Sequence, residues 1–294
     1  MNICIIGVNG FIGKYMVKEL SKCNKFNIIG IGNKCNYEGE ENIQYIQADI
    51  KNNDFANYVS NQLDDIDVII HLAAHLSFNN DEELIQTNIT GTLHICELAN
   101  IMNVGQLIYM SSIPVIGSPL ILPITEEHPT NPITLYHTSK LAGENVVNNC
   151  CNIDITKTIV RISSPIGVGM RKDTILSTFI NKCKVGEDII VFGKGTREQN
   201  YIDVRDISKG VMQILKEKPQ GVYNLCSHRC ISNVKLAELC IKHTGSDSRI
   251  IFQGNDSHDG VKWCISIDKA KRIFGFYPAY EISETIEWIL EQEK

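Results

Sequence analysis

A tyrosine and a lysine four residues apart are the side chains of this sequence best suited to move a proton. Tyr136 and Lys140 lie in a stretch with helical spacing, which puts both side chains on one face. A free phenol has a pKa of about 10, too high for a base at neutral pH. Because a nearby ammonium favours the phenolate, Lys140 is predicted to lower the pKa of Tyr136 into a useful range. The alternative for this spacing alone is an ordinary surface helix.

A serine hydroxyl on a neighbouring strand is predicted to complete the set. Ser112 follows the predicted strand Gln106–Met110, at the end where a parallel sheet presents its binding crevice. Its hydroxyl could bond the same substrate oxygen as Tyr136, although a helix or turn cap would also use a serine there. The order of these residues favours a catalytic set of Ser112, Tyr136 and Lys140, in which Lys140 also holds a cofactor ribose.

A glycine-rich turn supplies the candidate cofactor site. Gly7, Gly10 and Gly13 form a GxxGxxG motif directly after the first predicted strand, and the motif opens the first predicted helix. In such a turn the first glycine permits the tight bend, the second lets the backbone approach a pyrophosphate, and the third allows close helix–strand packing. The helix N-terminus adds free N–H groups and a positive dipole end. The motif therefore predicts a dinucleotide, with Asn9, Phe11 and Ile12 as further contacts in the same turn.

The end of the second predicted strand bears on the choice between NAD and NADP. An Asp or Glu there would bond the ribose 2′-hydroxyl and repel a 2′-phosphate, but this chain reads Gly32-Asn33-Lys34. Asn33 can bond either group, and Lys34 is either a phosphate partner or a solvated loop charge. The cofactor is therefore predicted to be NAD or NADP, and Lys34 slightly favours NADP.

Short β-branched runs alternate with longer amphipathic stretches through the first half of the chain. Parallel strands need crossover helices, so this alternation predicts an α/β fold with a Rossmann-type, doubly wound parallel sheet. The predicted strands are Ile3–Ile6, Asn27–Ile31, Gln44–Gln47, Asp67–His71, Gln106–Met110 and Thr156–Arg161. The predicted helices between them are Ile12–Ser21, Phe55–Leu63, Glu82–Met102 and Leu135–Cys150.

The pattern changes after the sixth predicted strand. The sequence predicts a loop at Ser163–Gly169, strands at Ile189–Val191 and Asn200–Val204, and helices at Thr174–Lys184, from the cap Asp206 to Leu215, at Val234–His243 and at Ile282–Glu291. These elements predict a smaller, interleaved C-terminal α/β substrate domain. The expected division gives residues 1–165 and about 201–226 to the dinucleotide-binding domain, and residues 166–200 and 227–294 to the substrate domain.

Composition excludes several classes of function. The chain has 294 residues, a formal charge of -6 and 43% hydrophobic residues, enough for a large core. Its mildly acidic balance argues against a nucleic-acid partner. The first residues read as a strand rather than a secretory signal, and no apolar run approaches the roughly 20 residues of a membrane span. With eleven cysteines and no CxxC, reduced thiols and a cytoplasmic location are expected.

A late group of cysteines and histidines does not match a metal site. The group follows no common zinc spacing, so no metal is predicted; its members are Cys226, His228, Cys230, Cys240 and His243.

Two further expectations concern a helix face and a loop. His137 is expected on a helix face away from the catalytic side chains, and Glu38–Glu41 is expected to be a solvated loop.

With these motifs in place, the sequence resembles the extended short-chain dehydrogenase/reductase family, in its nucleotide-sugar epimerase/dehydratase branch. The resemblance covers nearly the whole chain. Besides the glycine motif and the catalytic set, it is carried by Ala48-Asp49-Ile50, His71-Leu72-Ala73-Ala74, Asn88, Gly91-Thr92, Val115-Ile116-Gly117, Arg161–Gly167, Phe192–Gly195, Asn200–Asp206 and Asp268–Pro278.

The resemblance implies a role for each matching residue. Asp49 and Ile50 would contact the adenine, and Ala73 would lie along the cofactor phosphates and ribose. Hydride would pass between the nicotinamide and a sugar carbon, usually C4. The family pattern adds Leu72, Ala74, Asn88, Ser163 and Ile166 to the expected cofactor contacts, and Ser112, Ser164 and Arg197 to the expected substrate contacts.

Departures from the family pattern narrow the function. The dehydratases of the family carry an Asp-Glu pair after the serine, whereas this chain has Ile113-Pro114, which disfavours elimination of water. Ser164 stands where the family usually has Asn, and Arg197 comes two places earlier than the usual arginine. Arg197 is either a diphosphate ligand or a surface charge. The predicted substrate is a nucleotide sugar of unspecified identity.

The sequence leads to three functional hypotheses, in order of preference. The first is an NAD(P)-dependent nucleotide-sugar epimerase that oxidises a sugar carbon, lets the keto intermediate turn, and returns the hydride to the other face. The second is an NDP-keto-sugar reductase or dehydrogenase with net NAD(P)(H) turnover. The third is a non-catalytic NAD(P)-binding redox sensor, which the intact catalytic set disfavours. A homodimer through Glu82–Met102 and Leu135–Cys150 is also expected.

Overall fold

The computed structural model describes residues 1–37, 39, 43–76 and 80–292. Its strands are β1 (Asn2–Ile6), β2 (Asn27–Gly32), β3 (Gln44–Gln47), β4 (Val68–His71), β5 (Gln106–Ser112), β6 (Thr156–Ile162), β7 (Ser164–Ile166), β8 (Ile189–Phe192), β9 (Glu198–Asp203), β10 (Gly221–Leu225), β11 (Cys230–Ser232) and β12 (Ile250–Gln253). Glu38, Glu40 and Glu41 of the expected solvated loop lie outside the described residues.

Seven of these strands form one parallel sheet in the order β10-β6-β5-β4-β1-β2-β3. The six strands predicted in the first half are all present, so the α/β, doubly wound fold is confirmed. The strand order reverses between β1 and β4, and such sheets bind ligands at the carboxyl ends beside the reversal. Gly7, Leu72 and Ser112 lie at those ends of β1, β4 and β5.

Helices cover both faces of the sheet. They are α1 (Phe11–Leu20), α2 (Phe55–Ser60), α3 (Asp81–Ile85), α4 (Gly91–Ile101), α5 (Leu135–Cys150), α6 (Ile175–Lys184), α7 (Val204–Glu217), α8 (Asn233–Thr244), α9 (Asp268–Phe274) and α10 (Ile282–Gln292). One apolar cluster joins the sheet to α1, α7 and α9, and a second joins its other face to α2, α4 and α5. This double coverage explains why the strands are almost continuously apolar. Within the described ranges, no helix is long and apolar enough to cross a membrane.

The long helix predicted at Glu82–Met102 is interrupted. A π-helical segment, Gln86–Thr90, lies between α3 and α4. It holds the side chain of Asn88 in the interior, where its Nδ2 donates to the hydroxyl of Ser139 on α5 at 2.9 Å. Such segments are frequent at functional sites, and hydrophobic periodicity alone does not predict them.

Two details of the second half differ from the prediction. The helix expected to be capped by Asp206 begins earlier, and Asp203 caps it by accepting the N–H of Arg205 at 2.8 Å. Asp206 lies inside α7, where its carboxylate accepts two backbone N–H groups from the chain before α10. The expected loop Ser163–Gly169 contains the short strand β7, which pairs with β9.

A smaller unit is built from short strands and α6, α8 and α10 around a third apolar cluster. The apolar residues of the segment 265–276, which includes α9, pack instead in the first cluster with α7. We therefore propose that this segment belongs to the dinucleotide-binding domain. The rest of the expected division stays as a proposal.

Candidate active site

A cavity of about 550 Å³ opens at the carboxyl ends of β1, β4, β5 and β6. Its wall combines three groups of residues that are far apart in the sequence. The glycine turn contributes Gly7, Gly10, Phe11, Ile12 and Gly13, the catalytic set contributes Ser112, Tyr136 and Lys140, and later segments contribute Ser163, Ser164, Met170, Arg171, Thr174, Arg197, Gln199, Asn200, Trp263 and Ile265. Leu72 and Ala74 also line it. Candidate cofactor, catalytic and substrate residues therefore share one cavity.

The glycine turn is shaped for a ligand that needs close backbone approach. Gly7 has φ +89°, a conformation that favours glycine, and a Cβ there would lie 2.7 Å from the nitrogen of Ala73. A Cβ at Gly13 would meet the carbonyl oxygens of Gly7 and Val8 at 2.5 Å. No described side chain caps the start of α1, which leaves its first N–H groups for a ligand. These features fit the pyrophosphate of a dinucleotide.

Gly10→Ala is expected to weaken NAD binding by about tenfold, because the added methyl group would occupy the path of the pyrophosphate. The fold should persist, since the new Cβ would lie 3.1 Å from the oxygen of Gly7 and requires only a small adjustment. Isothermal titration calorimetry with NAD measures the effect. Gly105→Ala, whose Cβ would lie 3.5 Å from the oxygen of Asp67, is the control with unchanged affinity. Equal affinities of Gly10→Ala and the wild type would contradict the pyrophosphate assignment.

Several of the expected cofactor contacts are not part of the cavity wall. Asn9 donates to the backbone oxygen of Asn36 and to the hydroxyl of Tyr45, both at 3.2 Å. Tyr45 in turn donates to the backbone oxygen of Lys34 at 2.6 Å, so the glycine turn is tied to the end of β2. Asn88 bonds both backbone groups of His75. The other candidates outside the wall are Asn33, Asp49, Ile50, Ala73 and Ile166.

The catalytic set converges on the cavity. Tyr136 and Lys140 lie in the first half of α5, and Ser112 ends β5. Lys140 is 3% exposed, and its ammonium lies 4.3 Å from the ring centre of Tyr109. Burial lowers the pKa of Lys140 to about 7, and the negative charge of Glu144 acts in the opposite direction. The lysine is therefore close to losing its proton at neutral pH.

The pKa of Tyr136 moves against the prediction. Burial raises the pKa of this phenol to about 12, and the positive charge of Arg171 offsets only part of that rise. The expected lowering by Lys140 is wrong for the protein alone, because desolvation of the phenol dominates while the ammonium packs on Tyr109. In the protein alone the phenol of Tyr136 is therefore protonated at neutral pH, and additional positive charge beside it would favour the phenolate.

His137 also lines the cavity, contrary to the expectation of a separate helix face. Its Nδ1 lies 2.8 Å from the hydroxyl of Thr134, the residue that caps α5, and its ring meets that of Tyr136 edge-on at 5.4 Å. The first turn of a helix lets a side chain fold back toward the cap in this way. Burial lowers the pKa of His137, so the ring is neutral at neutral pH.

The wall is positively charged, although the formal charge of the protein is -6. Lys140, Arg171 and Arg197 line it, and none of the described wall residues is Asp or Glu. The Nε of Arg197 is buried and has no hydrogen-bond partner among the described residues. Thr174 caps α6 close to Arg171, so a helix N-terminus adds to the positive field. This arrangement suits an anionic ligand such as a diphosphate.

Sequence reasoning missed several wall residues. Arg171 pairs with Asp173 shortly before α6, and its position between glycines and a helix cap is a local signal that could have identified it. Trp263 has no such signal. It reaches the cavity because Ile124 and Ile265 form an isolated parallel bridge, a contact between distant segments.

Two of the three cysteines in the late group lie in the core. All eleven cysteines are free, and Cys226 and Cys240 are buried. Burial raises the pKa of the Cys226 thiol, which disfavours the thiolate that metals need. Within the described part of the chain, no group of three or more His, Cys, Asp or Glu could hold a metal ion.

Known proteins share both the sequence pattern and the fold. The profile of the NAD dependent epimerase/dehydratase family matches residues 3–226. UDP-glucose 4-epimerase of Lactobacillus helveticus is 25% identical over an alignment of 310 positions, gaps included, which covers 96% of this chain and 93% of that protein. UDP-glucose 4-epimerase of Thermotoga maritima has a similar structure, with a TM-score of 0.89, 22% identity and coverage of 99% and 98%. UDP-glucuronic acid 4-epimerase of Bacillus cereus, solved with NAD, has a TM-score of 0.88 and 24% identity with complete coverage of both chains.

Proposed function

The chain belongs to the NAD dependent epimerase/dehydratase family, and on this premise we propose that it is an NAD-dependent nucleotide-sugar epimerase. It inverts one sugar carbon, C4, by transient oxidation and return of the hydride. The observation that carries the proposal is the cavity in which the glycine turn, the catalytic set and a cationic wall meet. A dinucleotide and an anionic sugar nucleotide need those three surfaces side by side.

In the proposed reaction the sugar hydroxyl lies between Ser112 and Tyr136. Ser112 hydrogen-bonds its oxygen, while Tyr136 takes its proton as the carbon is oxidised and gives the proton back after the intermediate turns. Lys140 holds the cofactor ribose. Bound NAD supplies the hydride acceptor and donor and, when oxidised, a positive charge that favours the phenolate of Tyr136. The apolar parts of the wall, which include Ile265, keep water from the keto intermediate.

Two positions support epimerisation over elimination of water. Ile113 is 1% exposed and Pro114 lines the cavity. At these two positions the dehydratases of the family carry an Asp-Glu pair. Elimination therefore lacks the carboxyl acid and base that those enzymes use.

The substrate is proposed to be a UDP-sugar. The relatives reported above are named for UDP-glucose and UDP-glucuronic acid. In this chain the diphosphate is assigned to Arg197, whose buried Nε lacks a described partner, and to the N-terminus of α6. Ser164 and Arg171 complete the substrate contacts on the same wall.

A reductase or dehydrogenase with net NAD(P)(H) turnover is the second candidate. The observation in its favour is the end of β2, where Asn33 and Lys34 replace the acidic residue that would repel a 2′-phosphate. NADP(H), the cofactor of many net reductions, would then be accepted.

The two candidates differ in what they do to the cofactor. We would incubate the purified protein with UDP-glucose or UDP-glucuronic acid and follow the sugar by proton NMR. The 4-epimer should accumulate to equilibrium with NAD present only in catalytic amounts. Stoichiometric change in NAD(P)H without an epimer would reject the epimerase and support the reductase.

Asn33→Asp is expected to raise the preference for NAD over NADP by about tenfold, because a carboxylate there accepts from the 2′-hydroxyl and repels a 2′-phosphate. The ratio of the two dissociation constants, measured by calorimetry, gives the preference directly. Asn36→Asp places the same charge further along the loop and serves as the control. An unchanged ratio in Asn33→Asp would remove this position from the ribose site.

We also propose a homodimer formed through α4 and α5. Leu93 and Ile101 of α4 are large apolar side chains that are 36% and 53% exposed. Size-exclusion chromatography with light scattering should give the dimer mass for the wild type and the monomer mass for Leu93→Glu combined with Ile101→Glu. Ile153→Glu, at a loop residue that is 90% exposed, should stay dimeric. A wild-type monomer at all concentrations would contradict the interface.

A cytoplasmic location is the last part of the proposal. It is supported by the free state of all eleven cysteines, which suits a reducing compartment.

A further inference from the structure

A buried carboxylate lies next to the catalytic pair and has no part in the reaction described above. Tyr136, Lys140 and Glu144 are spaced by four residues along α5, so they form one stripe on that helix. Lys140 and Glu144 are 3% and 4% exposed. A carboxylate at such depth is costly unless it is paired and hydrogen-bonded, so its partners matter.

The partners of Glu144 come from two strands of the sheet. The hydroxyl of Ser111 on β5 donates to Oε1 at 2.5 Å. Arg161 on β6 donates to Oε1 through Nε at 2.9 Å and to Oε2 through Nη2 at 2.7 Å. Arg161 also donates through Nη1 to the backbone oxygen of Glu126 at 3.4 Å. The carboxylate therefore joins α5 to β5, β6 and the loop before α5.

The register of β5 and β6 puts the bonds of Glu144 one residue away from the candidate catalytic side chains. Ser111 is opposite Arg161 across β5 and β6, and Ser112 is opposite Ile162. Ser112 of the catalytic set is thus the residue after one partner of Glu144. Ser163 and Ser164, which line the cavity, follow shortly after the other partner.

Stability alone is a weak reason for this arrangement. Replacing a buried ion pair by apolar side chains of similar volume is often neutral or stabilising, so such pairs contribute little net free energy to folding. The geometry offers a different reason. Tyr136 and Ser112 lie on different elements, and a proton transfer between them and a shared oxygen depends on their separation to a fraction of an ångström. The negative charge of Glu144 also raises the pKa of Lys140 and so helps to keep it protonated.

We propose that Glu144 is a positioning residue, which fixes the phenol of Tyr136 relative to the hydroxyl of Ser112 through its bonds to Ser111 and Arg161. This inference rests on the proposed epimerase function, because it assumes that both hydroxyl groups act on one sugar oxygen. Glu144 itself touches neither substrate nor cofactor in this assignment.

The variant that tests the proposal is Glu144→Leu combined with Arg161→Met. It removes both charges together, since Glu144→Gln alone would leave a buried, uncompensated guanidinium and endanger folding. Ser111→Ala is a milder second variant that removes one bond and no charge. The control is Asp188→Asn combined with Arg249→Gln, which removes a bidentate pair outside the cavity.

A positioning role predicts a split between turnover and binding. In the Leu/Met variant kcat for epimerisation should fall by about tenfold to a hundredfold, while KM for UDP-glucose and the affinity for NAD stay within about twofold. Ser111→Ala should show a smaller fall of the same kind. Hydrogen–deuterium exchange should rise in peptides that cover residues 109–113 and 135–141, and the control pair should change neither readout.

The proposal is overturned if the Leu/Met variant has the kcat and the hydrogen–deuterium exchange of the wild type. If the Leu/Met variant does not fold, a wild-type kcat in Ser111→Ala overturns it instead. Failure of the epimerase assignment would be visible separately, as a wild-type protein that converts no UDP-sugar. In that event the catalytic part of the proposal falls with its premise, and the exchange measurement tests the physical link alone: faster exchange at these two segments supports the link from Glu144 to Tyr136 and Ser112, and unchanged exchange rejects it.

Discussion

Tyr136→Phe should reduce epimerisation by about a hundred- to ten-thousandfold, the range over which general acid–base groups contribute. The substitution deletes the only atom of this side chain that can carry the proton, and it keeps the ring that packs against His137. Binding of NAD should stay at the wild-type level, because the pyrophosphate contacts belong to the glycine turn. Because the pKa of Tyr136 is raised to about 12 in the protein alone, the phenol of the cofactor-free protein should stay protonated at neutral pH.

The measurement is the initial rate with UDP-glucose, accompanied by calorimetry with NAD. Tyr277→Phe, which removes a hydroxyl from a tyrosine that is 55% exposed, is the matched control and should be fully active. Full activity of Tyr136→Phe would sink the proposed mechanism. If the variant loses both NAD binding and activity, the role of Tyr136 is structural instead.

Lys140→Met should stabilise the cofactor-free protein on the order of a few kcal/mol at about pH 6, and the gain should shrink at alkaline pH. The folded pKa of Lys140 is lowered to about 7 from the ordinary value of 10.5. Below a pH of about 7 the lysine is charged in both the folded and the unfolded state, so the folded state bears the full free-energy cost of burying the ammonium. Between the two values the unfolded state binds more protons, so the stability of the wild type rises with pH. Methionine lacks the charge and therefore lacks this slope.

Urea unfolding of the wild type and of Lys140→Met at about pH 6 and about pH 9 gives the difference in free energy of unfolding at each pH. Lys209→Met is the control, because that lysine lies against the ring of Tyr280 outside the cavity. A stability difference that is the same at both pH values would mean that Lys140 is not an ammonium held in a dry site. Activity of Lys140→Met should be lost in any case, since the ribose contact disappears.

The parts of the fold that local patterns specify were predictable. The parallel sheet follows from β-branched runs and crossover helices, and the glycine turn follows from three residues whose spacing has few other uses. That Ser112, Tyr136 and Lys140 share one cavity was predictable because each occupies a fixed place relative to a strand end or a helix turn. These features are encoded within short segments of the chain.

The rest depends on contacts between segments. The pKa of Tyr136 could not be read from its neighbour four residues away, because the cavity that desolvates it is closed by residues from other parts of the chain. Trp263 is held in the wall between two long-range contacts, the Ile124–Ile265 bridge and the backbone bond from Glu198 to Val261. The capping role of Asp203 instead of Asp206 was a choice between two nearby carboxylates, and packing of the chain before α10 on Asp206 decided it.

The bridge between Ile124 and Ile265 has a consequence for how ligands enter and leave the cavity. Ile124 donates to the oxygen of Cys264 at 2.7 Å and accepts from the nitrogen of Ser266 at 2.9 Å, so backbone bonds tie this late segment to the first half of the chain. Glu198 of β9 donates to the oxygen of Val261 at 2.9 Å, so the stretch that carries Trp263 is also bonded to the smaller unit. Under the proposed function this doubly bonded wall would stay closed while sugars exchange past Arg171 and Arg197, and one NAD molecule could then serve many successive sugars.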